Sequence, residues 1–124
     1  ANAEAVMRAL GLPYRVVNVC TGDLGRGQAK KYDIEAWMPS RGNYCETHSA
    51  SKFYEFQARR MNLRYKDAGA KKNLFCHTLN NTVIASPRIL IPILELYQNA
   101  DGSVTIPQVL RPYMNGKQTI TQPS

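Results

Sequence analysis

Residues 79–94 read LNNTVIASPRILIPIL. The stretch passes from a short polar segment, Asn80-Asn81-Thr82, through small residues to Arg88 and then into an apolar run. That order predicts a turn followed by a helix over residues 84–99, closed before the Asp101-Gly102 turn. An arginine near a helix start presents two forked N–H donors to a phosphate, and free N–H groups of the first turn add partial positive charge. Asn80 and Thr82, just upstream, carry the neutral donors and acceptors that grip a small polar molecule. The stretch therefore predicts an anion site beside a polar pocket. Pro92 lies inside the expected helix and withdraws the hydrogen bond to the Arg88 carbonyl, which predicts a kink.

Working outward, the expected fold class is α+β, an antiparallel β-sheet flanked by helices. Residues 14–20 (YRVVNVC) are rich in β-branched side chains and follow Gly11-Leu12-Pro13, which ends a first helix. Residues 21–31 hold three glycines and read as a loop or short irregular helix. Residues 32–38 alternate as a strand, closed by Pro39 and the Ser40-Arg41-Gly42-Asn43 turn. Residues 44–51 read as extended, and residues 53–61 as a short helix. A hairpin is expected between residues 63–66 and 74–79, across a turn at 67–72. With no internal repeat, low-complexity segment or linker, residues 1–124 are expected to form one domain.

Composition narrows the setting. The chain has 124 residues, 44% hydrophobic content and a net charge of +7, enough for one domain with a real core and compatible with a polyanionic partner. The basic pairs Lys30-Lys31, Arg59-Arg60 and Lys71-Lys72 are scattered along the sequence and form no continuous arm. Three cysteines, Cys20, Cys45 and Cys76, make an odd set without a disulfide framework. No apolar run approaches the ~20 residues that span a membrane, so no membrane association is expected and a reducing, cytoplasmic location fits best. Cys45 with His48, and Cys76 with His77, raise the question of zinc. Adjacent residues on a strand point to opposite faces, which sets Cys76 and His77 against sharing one ion.

The 79–94 stretch resembles motif 3 of the class II aminoacyl-tRNA synthetases, in the form found in seryl-tRNA synthetases. A second segment, Tyr44-Cys45-Glu46-Thr47-His48-Ser49-Ala50-Ser51 followed by Phe56-Gln57-Ala58-Arg59-Arg60, is similar to that family's ETHS-x-S and QARR blocks at the family's spacing. Thr21-Gly22-Asp23-Leu24-Gly25 and residues 106–113 (IPQVLRPY) resemble the family in the same order. The resemblance spans roughly residues 10–116.

The resemblance implies a partial class II catalytic fold, the C-terminal half of a synthetase catalytic domain. Motifs 1 and 2 and the N-terminal coiled coil are absent from these 124 residues, and the ending NGKQTITQPS looks like a natural C-terminus. It implies a serine–tRNA ligase, with serine, ATP and tRNA(Ser) as partners, ATP and Mg²⁺ as cofactors, and a homodimer in the full-length protein. The chain by itself is expected to be inactive. Glu46 and Ser49 match the residues that hold Mg²⁺ against the ATP phosphates, and a carboxylate with a hydroxyl is hard-oxygen chemistry suited to that ion. Arg88 matches the arginine that binds ATP and neutralises its γ-phosphate, the catalytic role here. Asn80 and Thr82 match positions lining the serine pocket, while Gln57 and Arg59 read as structural support.

The sequence departs from the family at three places. Cys45 stands where many relatives have arginine, Ala50 where many have cysteine, and Asn81 where glycine is common. Without the surrounding blocks, Glu46 and Ser49 would read as a surface carboxylate and a strand serine, Arg88 as a helix-surface arginine, and Asn80 and Thr82 as turn and cap residues. Two other classes compete with the ligase. One is a truncated synthetase-like paralogue acting as a non-catalytic nucleotide- or tRNA-binding module. The other is a ligase charging a carrier protein, whose known relatives resemble a zinc-dependent branch.

Overall fold

The protein is described by a computed structural model over residues 2–69 and 71–121. Its elements run α1 (Asn2–Ala9), β1 (Tyr14–Asn18), β2 (Lys30–Met38), β3 (Asn43–Tyr54), α2 (Phe56–Met61), β4 (Arg64–Asp67), β5 (Lys72–Phe75), β6 (Thr78–Asn81), α3 (Ser86–Leu96), β7 (Val104–Thr105) and β8 (Thr119–Ile120). Short 3-10 segments occupy Thr21–Asp23 and Pro39–Arg41, and a longer one Gln108–Met114. Among the described residues, one sheet has the strand order β1-β2-β3-β6, and β4–β5 and β7–β8 form two-stranded ribbons. Strands β3 and β6 are antiparallel. The few residues between β2 and β3 allow only an antiparallel connection, since a parallel crossover needs a dozen or more. The architecture is the α+β antiparallel sheet with helices that the sequence predicts.

The chain folds as two compact units, one from residues 1–16, 34–48 and 83–124, the other from 17–33 and 49–82. In the first, α1 presents Ala3 and Met7 to the core, one helical turn apart, with Leu10 and Leu12 beyond. They pack with Ile34 and Ala36 of β2 and with Ile89 and Ile93 of α3. Gly11 reverses the chain after α1 with a φ of +67°. A Cβ there would stand 2.7 Å from the Tyr97 hydroxyl, which donates to the Leu10 carbonyl at 2.6 Å. Glycine thus serves both the left-handed backbone and the close approach.

Helix α3 is shorter than the sequence predicts, 86–96 instead of 84–99. Ala85 is extended and Pro87 occupies the first turn, where a missing N–H costs nothing. At the other end, Asn99 turns away, its N–H bonding the Ser103 carbonyl at 2.7 Å, and Gln98 forms a bridge to Val104. The helical assignment continues across Pro92, which is buried within α3.

The second unit revises five expectations. Strand β3 extends to Tyr54, so Phe53 and Tyr54 belong to the strand and α2 begins only at Phe56. Residues 74–79 do not form one strand. Lys72–Phe75 pairs with β4, while Thr78–Asn81 pairs with β3, and Cys76-His77 form the break between β5 and β6. Asn80 and Asn81 are strand residues and not a turn, with Ser51 opposite Asn80 and Ala50 opposite Asn81. Gln57 accepts the Thr78 hydroxyl hydrogen bond at 2.7 Å and Arg59 pairs with Glu55 at 2.5 Å. Strand β2 begins at Lys30, two residues early, and β1 stops at Asn18, although the Val19 N–H still reaches the Lys31 carbonyl at 3.0 Å. Among the described residues, no helix is long and apolar enough to cross a membrane.

Candidate functional site

Two of the five candidate residues lie in the first unit, and they touch. Glu46 on β3 and Arg88 in the first turn of α3 form an ion pair, Oε2 to Nη1 at 3.0 Å, with 34% and 54% of their side chains exposed. An ion pair this exposed is worth ~0–1 kcal/mol. It holds the two groups in position yet yields readily to a stronger partner for either charge.

The anion site is narrower than the sequence predicts. Pro87 brings no N–H, and the N–H groups of Arg88 and Ile89 both go to the Ala85 carbonyl at 3.0 Å. The first turn of α3 is therefore largely self-satisfied, and the guanidinium carries most of the capacity to bind an anion.

Beside Glu46 the strand does something its sequence does not announce. Thr47 and His48 are both buried, 0% and 2% exposed, whereas Glu46 and Ser49 on either side are half-buried. In a regular strand neighbouring side chains point to opposite faces. Here Thr47 Oγ1 lies 2.9 Å from His48 Nδ1, so the two buried neighbours lean toward each other along the strand. The Thr47 hydroxyl donates to the Ile34 carbonyl at 3.0 Å. Its single hydrogen is thereby used, so His48 Nδ1–H donates to Thr47 Oγ1 and Nε2 is left as an acceptor. Nε2 is buried and has no partner among the described residues.

Burial pushes the His48 imidazole below the ordinary value of 6.5, with the Glu46 charge opposing in part. The unfolded chain therefore takes up a proton on His48 before the folded one does. The stability contributed by neutral His48 is intact above pH 6.5 and is lost as pH falls from there toward the lowered native value. Between about pH 8 and about pH 5.5 the urea midpoint of the native protein should fall further than that of His48→Asn. Equal falls in the two proteins would show that His48 does not titrate in this way.

The other three candidates lie in the second unit. The Ser49 carbonyl accepts from Asn81 Nδ2 at 2.7 Å, a clamp between β3 and β6 that sequence reading passed over by noting Asn81 only as a departure from glycine. Ser51, buried beside this pairing, accepts from Gln28 Nε2 at 2.7 Å. Asn80 lines a cavity of about 280 Å³ with Ala50, Ser51, Asn81, Lys30 and Tyr32 among its walls. Thr82 is exposed just past the end of β6. Cys76 and His77 are not strand residues, so opposite strand faces do not govern them; His77 packs edge-on against Tyr54, centroids 5.4 Å apart. Among the described residues no three His, Cys, Asp or Glu side chains gather as a metal site.

A family model described as "tRNA synthetase class II core domain (G, H, P, S and T)" matches residues 1–97. The chain belongs to the class II tRNA synthetase core family. It is 55% identical over 123 residues to the serine–tRNA ligase of Deinococcus radiodurans, covering 99% of this chain and 29% of that protein. Its identity to the serine–tRNA ligase of Clostridium botulinum is 56% over 119 residues, 96% of this chain and 28% of the relative. Among solved structures, seryl-tRNA synthetase from Pyrococcus horikoshii complexed with ATP superposes with a TM-score of 0.92 at 50% identity, over 99% of this chain and 27% of that one. Cytoplasmic serine–tRNA ligase from Naegleria fowleri, in complex with AMP, does so with a TM-score of 0.85 at 42% identity, over 98% of this chain and 25% of that one. The chain thus spans under a third of the length of these class II synthetases.

Proposed function

We propose that this chain is the C-terminal half of the catalytic domain of a cytoplasmic serine–tRNA ligase that acts on serine, ATP and tRNA(Ser) as a homodimer. The observation that carries the reading is the Glu46–Arg88 pair. Two residues far apart in sequence, given opposite charges by the motif reading, stand 3.0 Å apart in one unit, in a chain similar over nearly its whole length to serine–tRNA ligases.

In the reaction, a serine carboxylate oxygen attacks the α-phosphorus of ATP, the bond from that phosphorus to the α,β-bridging oxygen breaks, and pyrophosphate leaves. The terminal ribose hydroxyl of tRNA then attacks the seryl carbonyl and releases AMP. Neither step needs a side-chain nucleophile; positioning and charge neutralisation suffice. Arg88 exchanges Glu46 for the γ-phosphate, trading an exposed ion pair for a forked contact with a more highly charged group. The Glu46 carboxylate and the Ser49 hydroxyl are the hard-oxygen groups that would hold Mg²⁺. A single carboxylate and a hydroxyl suit that ion better than an all-protein cage would. When bound, the ion offsets phosphate charge. Asn80 and Thr82 hold serine through its hydroxyl and ammonium groups.

The serine assignment is tested in the full-length protein with Asn80→Ala and Thr82→Val. A buried partner left unpaired costs about 1–3 kcal/mol, so the KM for serine should rise about tenfold or more. The KM for ATP should stay within about twofold. An equal rise in both constants would remove these residues from the serine pocket.

A further inference from the structure

The positive charge is unevenly placed. The second unit holds ten Lys and Arg against four Asp and Glu, a net +6 of the whole chain's +7. Six of those cations, Arg59, Arg60, Arg64, Lys66, Lys71 and Lys72, fall within 14 consecutive residues that include one acid, Asp67. Two of the three basic pairs, Arg59-Arg60 and Lys71-Lys72, meet at the β4–β5 ribbon. The β4–β5 ribbon sets Asp67 opposite Lys72 and Arg64 opposite Phe75, and the end of α2 is tied to it through Leu63, whose N–H reaches the Ala58 carbonyl at 2.8 Å.

One face of the ribbon is organised around Phe75. Directly opposed residues share a face, and so do residues two apart on one strand. Arg64, Lys66, Asn73 and Phe75 therefore project together. Arg64 lies 4.2 Å and Arg59 4.5 Å from the Phe75 ring centre, so the ring fixes two guanidiniums that would otherwise swing freely. Only Arg59 of these cations has a carboxylate partner among the described residues, Glu55. Arg64 donates to the Asn62 amide oxygen at 2.9 Å, a neutral partner that leaves its charge uncompensated. Arg60, Arg64, Lys66, Lys71 and Lys72 are all exposed. Like charges gathered with few counter-charges repel one another, and a polyanion relieves that repulsion.

We propose that the Arg64–Lys66 face of the β4–β5 ribbon, stiffened by Phe75, is a docking surface for the phosphate backbone of RNA. Arg64 and Lys66 stand ~7 Å apart along an extended strand, an open row matched to successive phosphates of a strand and not to one small anion. The choice of RNA as the polyanion rests on the synthetase reading above. Contacts to phosphate hold orientation without reading sequence, so this face would grip cognate and non-cognate tRNA alike and leave selection to other parts of the protein.

The test is binding of full-length protein to tRNA(Ser) and to one non-cognate tRNA across a salt series, comparing the native protein with R64Q/K66Q. Losing two phosphate contacts should make the log–log salt slope shallower by about two for both RNAs. R64K/K66R, which keeps the charges, should keep the native slope. Serine-dependent pyrophosphate exchange, read in the same samples, should be unaffected in both variants. If the native protein shows no exchange, the synthetase reading fails, while the slopes still judge the surface. An unchanged slope in R64Q/K66Q overturns the proposal. So does loss of binding to vesicles of anionic phospholipid with the RNA slope intact.

Discussion

Arg88→Ala in the full-length protein is expected to lower serine-dependent pyrophosphate exchange by about 10²–10³-fold, with little change in stability. Removing one preorganised electrostatic donor at a site of developing charge costs about that much in rate. Arg88 is suited to the role because it sits on a helix and is held by Glu46 at 3.0 Å. Its own backbone N–H is already spent on the Ala85 carbonyl, so the first turn of α3 has little with which to replace the lost guanidinium. Stability should barely move, because the ion pair is more than half exposed on the Arg88 side and such pairs are worth ~0–1 kcal/mol. Arg88→Lys should recover only part of the rate, since an ammonium is a point charge and cannot fork. Rate constants for both variants, with unfolding curves alongside, check this. A loss below about tenfold for Arg88→Ala would place the γ-phosphate elsewhere.

Met7→Ala is expected to destabilise the protein by about 2–5 kcal/mol while leaving the site's chemistry intact in the folded fraction. Met7 is wholly buried and packs in the cluster of Ala3, Leu10, Leu12, Ile34, Ala36, Ile89 and Ile93. That cluster joins α1 to β2 and α3, so a cavity there loosens the helix that carries Arg88. Leu79, 81% exposed on β6, is the internal comparison, and its alanine variant should change stability by less than about 0.5 kcal/mol. Urea unfolding of the two variants checks both statements. A loss below about 1 kcal/mol for Met7→Ala would mean that the core closes around the vacancy.

Much of this could be read before the structure. The motif at residues 79–94 marked the segment that supplies Arg88, and the ETHS block marked Glu46, and the fold brings these two charged residues together. What could not be read depends on pairing partners distant in sequence. Asn80 and Asn81 have turn-like composition, yet β3 offers them a ladder, and tertiary pairing overrides local preference. Residues 74–79 read as one strand, but their two halves serve different sheets. The Thr47-His48 contact has no composition signal, since a threonine and a histidine are equally at home in regular alternation. The basic pairs show the same limit. That Arg64 and Lys66 share a ribbon face with Phe75 follows from register, which no count of charges contains.

The central claim is that this chain supplies part of a site that activates serine with ATP. Pyrophosphate exchange by the full-length protein, measured across a panel of amino acids, tests it most directly. Exchange that requires ATP and serine, with alanine near background because a site built to bond a hydroxyl rejects its absence, is the predicted result. Exchange driven equally well by another amino acid, or none with any of them, would contradict it.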